Sequence, residues 1–114
     1  IHGYSLQFKC IFEGDLDERN WVKDFGCFGD IKKQLTYLFD HTMIVAKDDP
    51  LLNQFIAMHD DGIIQIRVLD HVGCEMFAKT VFEMFARYDD ERVKIRRVIC
   101  IENQKNSASY GLPL

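Results

Sequence analysis

The chain has 114 residues, with 14 Lys and Arg against 18 Asp and Glu for a formal charge of −4, which fits one domain and excludes two. At this length a chain buries roughly 65% of the surface its unfolded form exposes, enough to fold alone with little margin. With 47% apolar and 28% charged residues it reads as globular; no apolar run nears the length of about 20 residues that crosses a bilayer, and the acidic balance argues against nucleic acid, which requires a basic face.

From Gly3 to Glu13, Tyr4, Leu6, Phe8, Cys10 and Phe12 alternate with Ser5, Gln7, Lys9 and Glu13, the period of a half-buried strand. The polar stretch from Gly14 to Asn20 predicts a turn, with Trp21–Phe25 returning as the second, antiparallel strand of a hairpin. Phe28, Ile31, Leu35, Leu38 and Phe39 fall on one helical stripe and predict a helix of about three turns that stops near Asp40-His41. A shorter helix is expected after Asp48-Asp49-Pro50, running to about Asp60 and ending at Gly62, with Ile63–Leu69 as a strand beyond it. Met76, Phe77, Val81, Phe82, Met84 and Phe85 predict a third helix over Cys74–Tyr88, with Glu75 in the first turn, where the helix dipole favours a negative charge. Arg92–Glu102 reads as a long antiparallel strand with Val93, Ile95, Ile99 and Ile101 facing one way and Arg92, Lys94 and Arg96 the other. Ser107–Tyr110 supplies a short last strand. The order predicts an α+β two-layer sandwich.

Cys10, Cys27, Cys74 and Cys100 are widely spaced and form no CxxC pair, which is read as a reducing, cytoplasmic setting. The chain enters a patterned segment directly at Ile1, so an upstream strand is expected, and residues 1–114 are read as a single domain lacking that strand.

Several residues carry chemistry. His2 and Tyr4 share a strand face about 6–7 Å apart, where two ligands could hold a metal, although tyrosine is a poor zinc ligand and, taken alone, a packed or solvated histidine is the simpler reading of His2. Asp40-His41 sets a carboxylate beside an imidazole, as general acid–base work requires, or else is a helix-end histidine complementing the dipole; Asp70-His71 is a rival pair. Glu102, at the end of an apolar strand, suits a bidentate acceptor for paired N–H groups or a plain surface position. Arg92, Lys94, Arg96 and Arg97 could meet a polyphosphate or simply be a solvated strand face.

Taken in order, His2-Gly3-Tyr4, Trp21-Val22-Lys23-Asp24-Phe25, Phe39-Asp40-His41, Gly73-Cys74-Glu75 with Phe77-Ala78-Lys79, and Ile101-Glu102 followed by Ser107-Ala108-Ser109-Tyr110 resemble the 6-pyruvoyl-tetrahydropterin synthase family, which includes the 6-carboxytetrahydropterin synthases of queuosine biosynthesis. The resemblance implies a tunnelling fold, in which an antiparallel sheet packs against helices and subunits close into a barrel as a trimer or a pair of trimers. It implies zinc held through His2, with Tyr4 standing where the family has a second histidine. Asp40 and His41 become the catalytic pair, Glu102 the anchor of a pterin ring, and Cys74 and Glu75 residues of the pterin pocket. Val72-Gly73 replaces the family's Pro-Thr, and no cysteine of this chain occupies the place of the family's catalytic cysteine, which lies a few residues before the family's His-Gly-His, the stretch that His2-Gly3-Tyr4 resembles. The implied activity is a zinc-dependent lyase that converts 7,8-dihydroneopterin triphosphate to 6-carboxy-5,6,7,8-tetrahydropterin or to the 6-pyruvoyl product with loss of triphosphate. A non-catalytic, oligomeric pterin-binding protein is the alternative.

Overall fold

A computed structural model describes residues 6–21, 25–103 and 105–113. Strand β1 spans Gln7–Gly14, a 3₁₀ turn Phe25–Phe28, helix α1 Gly29–Phe39, strand β2 Met43–Ala46, helix α2 Leu52–Asp60, strand β3 Ile66–Leu69, helix α3 Cys74–Ala86, strand β4 Val93–Ile101 and strand β5 Ser107–Gly111. Among the described residues β1, β4 and β5 form one antiparallel sheet in that order, with β4 central.

The alternation of β1 decides which face is covered. Phe8, Cys10 and Phe12 turn toward the helices and pack against a core of Phe28, Ile31, Phe77, Ala78, Val81, Met84, Phe85, Ile95, Val98 and Cys100. In α3 the buried residues Phe77, Ala78, Val81, Met84 and Phe85 follow one helical stripe across β4 and β5. Met76 and Phe82, expected on that stripe, flank it half-buried, Phe82 with its ring 5.1 Å from Tyr110. Aromatic rings join the layers: Phe28 stacks on Phe12 at 5.2 Å and meets Phe85 edge-on at 4.9 Å, and Phe39 lies 5.3 Å from Phe77.

Two expectations are corrected. Among the described residues the first strand pairs with β4 and not with a hairpin return: Trp21 lies in no strand and Phe25–Phe28 is a 3₁₀ turn, while residues 22–24 of the expected return strand lie outside the described residues. Asp17 sets the chain on another course, because its carboxylate accepts the backbone N–H groups of Arg19 (2.8 Å) and Trp21 (3.0 Å), and the Arg92 guanidinium donates to the carbonyls of Asp15 and Trp21.

The second correction concerns β4. Ile11 opposes Arg97 while Phe12 opposes Ile95, so Arg96 is an extra residue, a β-bulge. An inserted residue reverses the alternation beyond it. Val93 and Ile95 before the bulge and Val98 and Cys100 after it are buried on the helix side, whereas Ile99 and Ile101 emerge on the opposite face and are only half-buried. The arginines at the bulge are held within the chain. Arg96 pairs with Glu13 at 3.2 Å and donates to the Pro113 carbonyl, and Arg97 donates to Ser109 Oγ at 2.8 Å and the Leu112 carbonyl at 2.7 Å.

The expected strand over Ile63–Leu69 shortens to β3 and pairs in parallel with β2, a strand the periodicity did not reveal. Met43-Ile44-Val45-Ala46 shows no alternation, and a parallel partner reached through α2 is a tertiary fact. Helix α2 ends as expected at Gly62, whose positive φ of 77° lets its N–H reach His59 O while the Ile63 N–H reaches Met58 O.

Candidate functional site

The β-bulge builds the site as well as the core. With the alternation reversed after Arg96, Glu102 follows Val98 and Cys100 on the helix side of the sheet. Its backbone is held at the β4–β5 hairpin, where the Glu102 N–H donates to Asn106 O at 3.0 Å and Asn103 Oδ1 accepts the N–H groups of Lys105 and Asn106. There its half-buried side chain meets the start of α3. The Cys74 thiol donates to Glu102 Oε2 at 3.8 Å, within reach for a sulfur donor.

Gly73 makes this meeting possible. It precedes α3 with φ 138°, a conformation that L side chains rarely adopt, and a Cβ there would lie 3.3 Å from Glu75 Oε2. No side chain caps the helix, so its first N–H groups and the positive end of its dipole are available to the neighbouring carboxylates. Exposed Glu75 lies in that first turn, close enough for its charge to act on the Cys74 thiol.

Beneath Cys74 lies Cys100, fully buried, its thiol against that of Cys74. Burial pushes the Cys100 thiol up to about 12, and burial likewise raises Cys74, opposed by the Cys100 thiol and reinforced by the charges of Glu102 and Glu75. Both are therefore neutral S–H groups at physiological pH. Thus Cys74, Glu75 and Glu102, expected to share a pocket, do come together. Gly73 was singled out with them in the Gly73-Cys74-Glu75 motif, whereas Cys100 was not. For Cys100 the signal was present in its place two residues before Glu102 on one strand, but it needed the bulge to be read.

Asp40 and His41 form a separate arrangement at the end of α1. The Asp40 N–H closes the helix on Thr36 O, and His41 turns the chain with φ 54°. His41 Nε2 lies 3.6 Å from Asp40 Oδ1, an ion-pair distance longer than a hydrogen bond, with the histidine side chain 95% exposed. The rival pair is differently engaged, because Asp70 directs its carboxylate to Lys47 Nζ at 3.3 Å. The fourth histidine, His59, accepts the Ile66 N–H on Nδ1 at 3.1 Å and ties α2 to β3.

The expected zinc ligand His2, and Tyr4 beside it, lie outside the described residues. Among the described residues no group of three or more His, Cys, Asp or Glu side chains could hold a metal ion, so they do not by themselves fit a zinc centre. Nor, among them, is any helix long and apolar enough to cross a membrane.

Comparison with known proteins agrees with this architecture. An uncharacterized protein from Wolinella succinogenes, known from its crystal structure, superposes with a TM-score of 0.82 at 20% identity, over 96% of this chain and 78% of that one, a likeness of fold. No curated protein matches the sequence. Residues 1–112 match the 6-pyruvoyl tetrahydropterin synthase family, nearly the whole length over which the bulged sheet, α3 and Glu102 are laid out, and the chain belongs to that family.

Proposed function

We propose that this chain is a tetrahydropterin synthase, a lyase that acts on 7,8-dihydroneopterin triphosphate and expels triphosphate, either keeping all three side-chain carbons in the 6-pyruvoyl product or, with water consumed and the outer two carbons released as acetaldehyde, yielding 6-carboxy-5,6,7,8-tetrahydropterin. Family membership supports the reaction class, and the observation that carries the reading is the carboxylate of Glu102 held at the start of α3 by the Cys74 thiol. A pterin offers a 2-amino group and an adjacent ring N–H in one plane, and a carboxylate accepts such a pair with two parallel bonds. In this reading Glu102 orients the ring, and Cys74 and Glu75 border it.

Asp40 and His41 move protons between side-chain carbon and oxygen. Asp40 Oδ1 faces His41 Nε2, which leaves Nδ1 as the atom that gives or takes the proton, and the 3.6 Å separation has room to tighten when substrate is bound. Because the pair is solvent-exposed in a single chain, the reading carries with it a closed oligomer, a trimer or a pair of trimers, in which a neighbouring subunit covers it. Zinc enters through His2 as an expectation of the family, and metal analysis of the purified protein checks it.

The second reading, an oligomeric pterin-binding protein without catalysis, rests on Tyr4 standing where the family has a histidine. One experiment separates the two. Protein incubated with 7,8-dihydroneopterin triphosphate should release triphosphate and a tetrahydropterin whose mass identifies the 6-carboxy or 6-pyruvoyl side chain. Binding of the intact substrate with no product over many hours would overturn the enzyme reading in favour of the binding protein.

A further inference from the structure

Glu102 sits at the end of a strand, and three side-chain torsions separate its carboxylate from the backbone that the hairpin holds. The last of these torsions is broad and close to two-fold. A carboxylate left to rotate would lose entropy on taking up a planar pair of N–H groups, so the affinity of such an anchor depends on what restrains it beforehand. The side chain seen touching it is Cys74, whose thiol donates to Oε2 at 3.8 Å.

Two features make this thiol a fixed donor. Cys74 is the first residue of α3, set in place by Gly73, and its sulfur rests on Cys100, which is fully buried among the core residues beneath. Burial and the two nearby carboxylates keep it protonated, so it offers a hydrogen to Glu102 and not a second negative charge.

Resting on the pterin-anchor reading of Glu102, we infer that Cys74 is a positioning residue: its S–H, braced by Cys100, holds the Glu102 carboxylate in the plane in which it accepts the paired N–H groups of a pterin. Cys74 thereby acts on the ring through Glu102. Its effect is confined to ligands that use both N–H groups.

The test is calorimetric titration of the full-length protein with 7,8-dihydroneopterin and with lumazine, which carries an oxygen in place of the 2-amino group, alongside thermal melts of each variant. Cys74→Ala should weaken dihydroneopterin by roughly three- to tenfold, the scale of one hydrogen bond, with lumazine nearly unchanged, and Cys74→Ser should restore most of the loss by supplying an O–H donor. In a Glu102→Ala background, Cys74→Ala should cost nothing further. Parent affinity in Cys74→Ala, or an equal loss for lumazine, would overturn the inference while a weakened Glu102→Ala variant upheld the anchor. Parent affinity in Glu102→Ala would overturn the anchor reading and this inference with it.

Discussion

Asp40 and Asp70 each precede a histidine, yet they are engaged differently: Asp40 faces His41 at 3.6 Å, while Asp70 is paired with Lys47 at 3.3 Å. If Asp40-His41 is the working pair, His41→Ala should lower turnover by roughly 10²–10⁴-fold, the usual scale for a lost acid–base group, with the melting temperature kept, and His71→Ala should do far less. Steady-state rates of the two variants decide it, and the reverse ranking would reassign the pair. Asp17 supports a prediction about pH. Its carboxyl is held below its ordinary value of 3.8, first by the Trp21 backbone N–H and then, against a partial desolvation effect, by Arg19. A depressed folded value stabilises the Asp15–Trp21 loop above pH 3.8 and loses that effect as pH falls through the folded value. Trp21 is the single tryptophan and is half-exposed beside Arg19, so its fluorescence should report a step below pH 3.8. Asp17→Asn, which keeps an acceptor oxygen but does not titrate, should show no such step.

At the scale of elements the bulge in β4 has the widest effect. One extra residue, Arg96, sends Ile99 and Ile101 to one face and Cys100 and Glu102 to the other. The end of β5 is fitted around it. Gly111 lies opposite Arg97 with φ 151°, and a Cβ there would come within 2.3 Å of Arg96 O and 2.7 Å of Arg97 Cα, both backbone atoms that cannot swing aside. Gly111→Ala should therefore destabilise the protein by about 1–3 kcal/mol and lower its melting temperature by several degrees. Ser109→Ala, which removes an exposed bond to Arg97, should change it little. Equal melts for the two variants would show that the tail does not depend on this close fit.

Seen whole, the chain is drawn out, 53 × 26 × 23 Å with a radius of gyration of 16.4 Å, where a compact chain of this length has about 13 Å. It exposes 7999 Å², against about 6,500 Å² for a monomer of its mass. The helices cover one face of the β1-β4-β5 sheet; on the other, Ile11, Ile99 and Ile101 are half-buried among Lys9, Arg97 and Ser109. A closed oligomer would cover that face and the sheet's edges together. Light scattering at micromolar concentration should report three or six subunits, and Ile99→Lys should shift the population to smaller species. A parent protein that runs as a clean monomer would count against the barrel assembly.

Local periodicity was enough to place α1, α3 and β4 to within a few residues, because each carries an apolar stripe of its own period, and α2 was placed by its bounding residues, Asp48-Asp49-Pro50 before it and Gly62 after it. The motif order from His2 to Tyr110 was enough to name a family, and that likeness singled out Glu102, Cys74 and Glu75, which the fold brings together at the start of α3. Pairing was not legible. That β1 joins β4, that Met43–Ala46 is a strand with a parallel partner beyond a helix, and that Arg96 is inserted in the ladder all depend on residues far apart in the chain, whose alignment no local pattern encodes. The same is true of Cys100, whose place beneath Cys74 and Glu102 follows from a bulge that reverses which side chains face inward. Side-chain period is a property of a segment, whereas register is a property of two segments in contact, and only the folded chain brings those segments together.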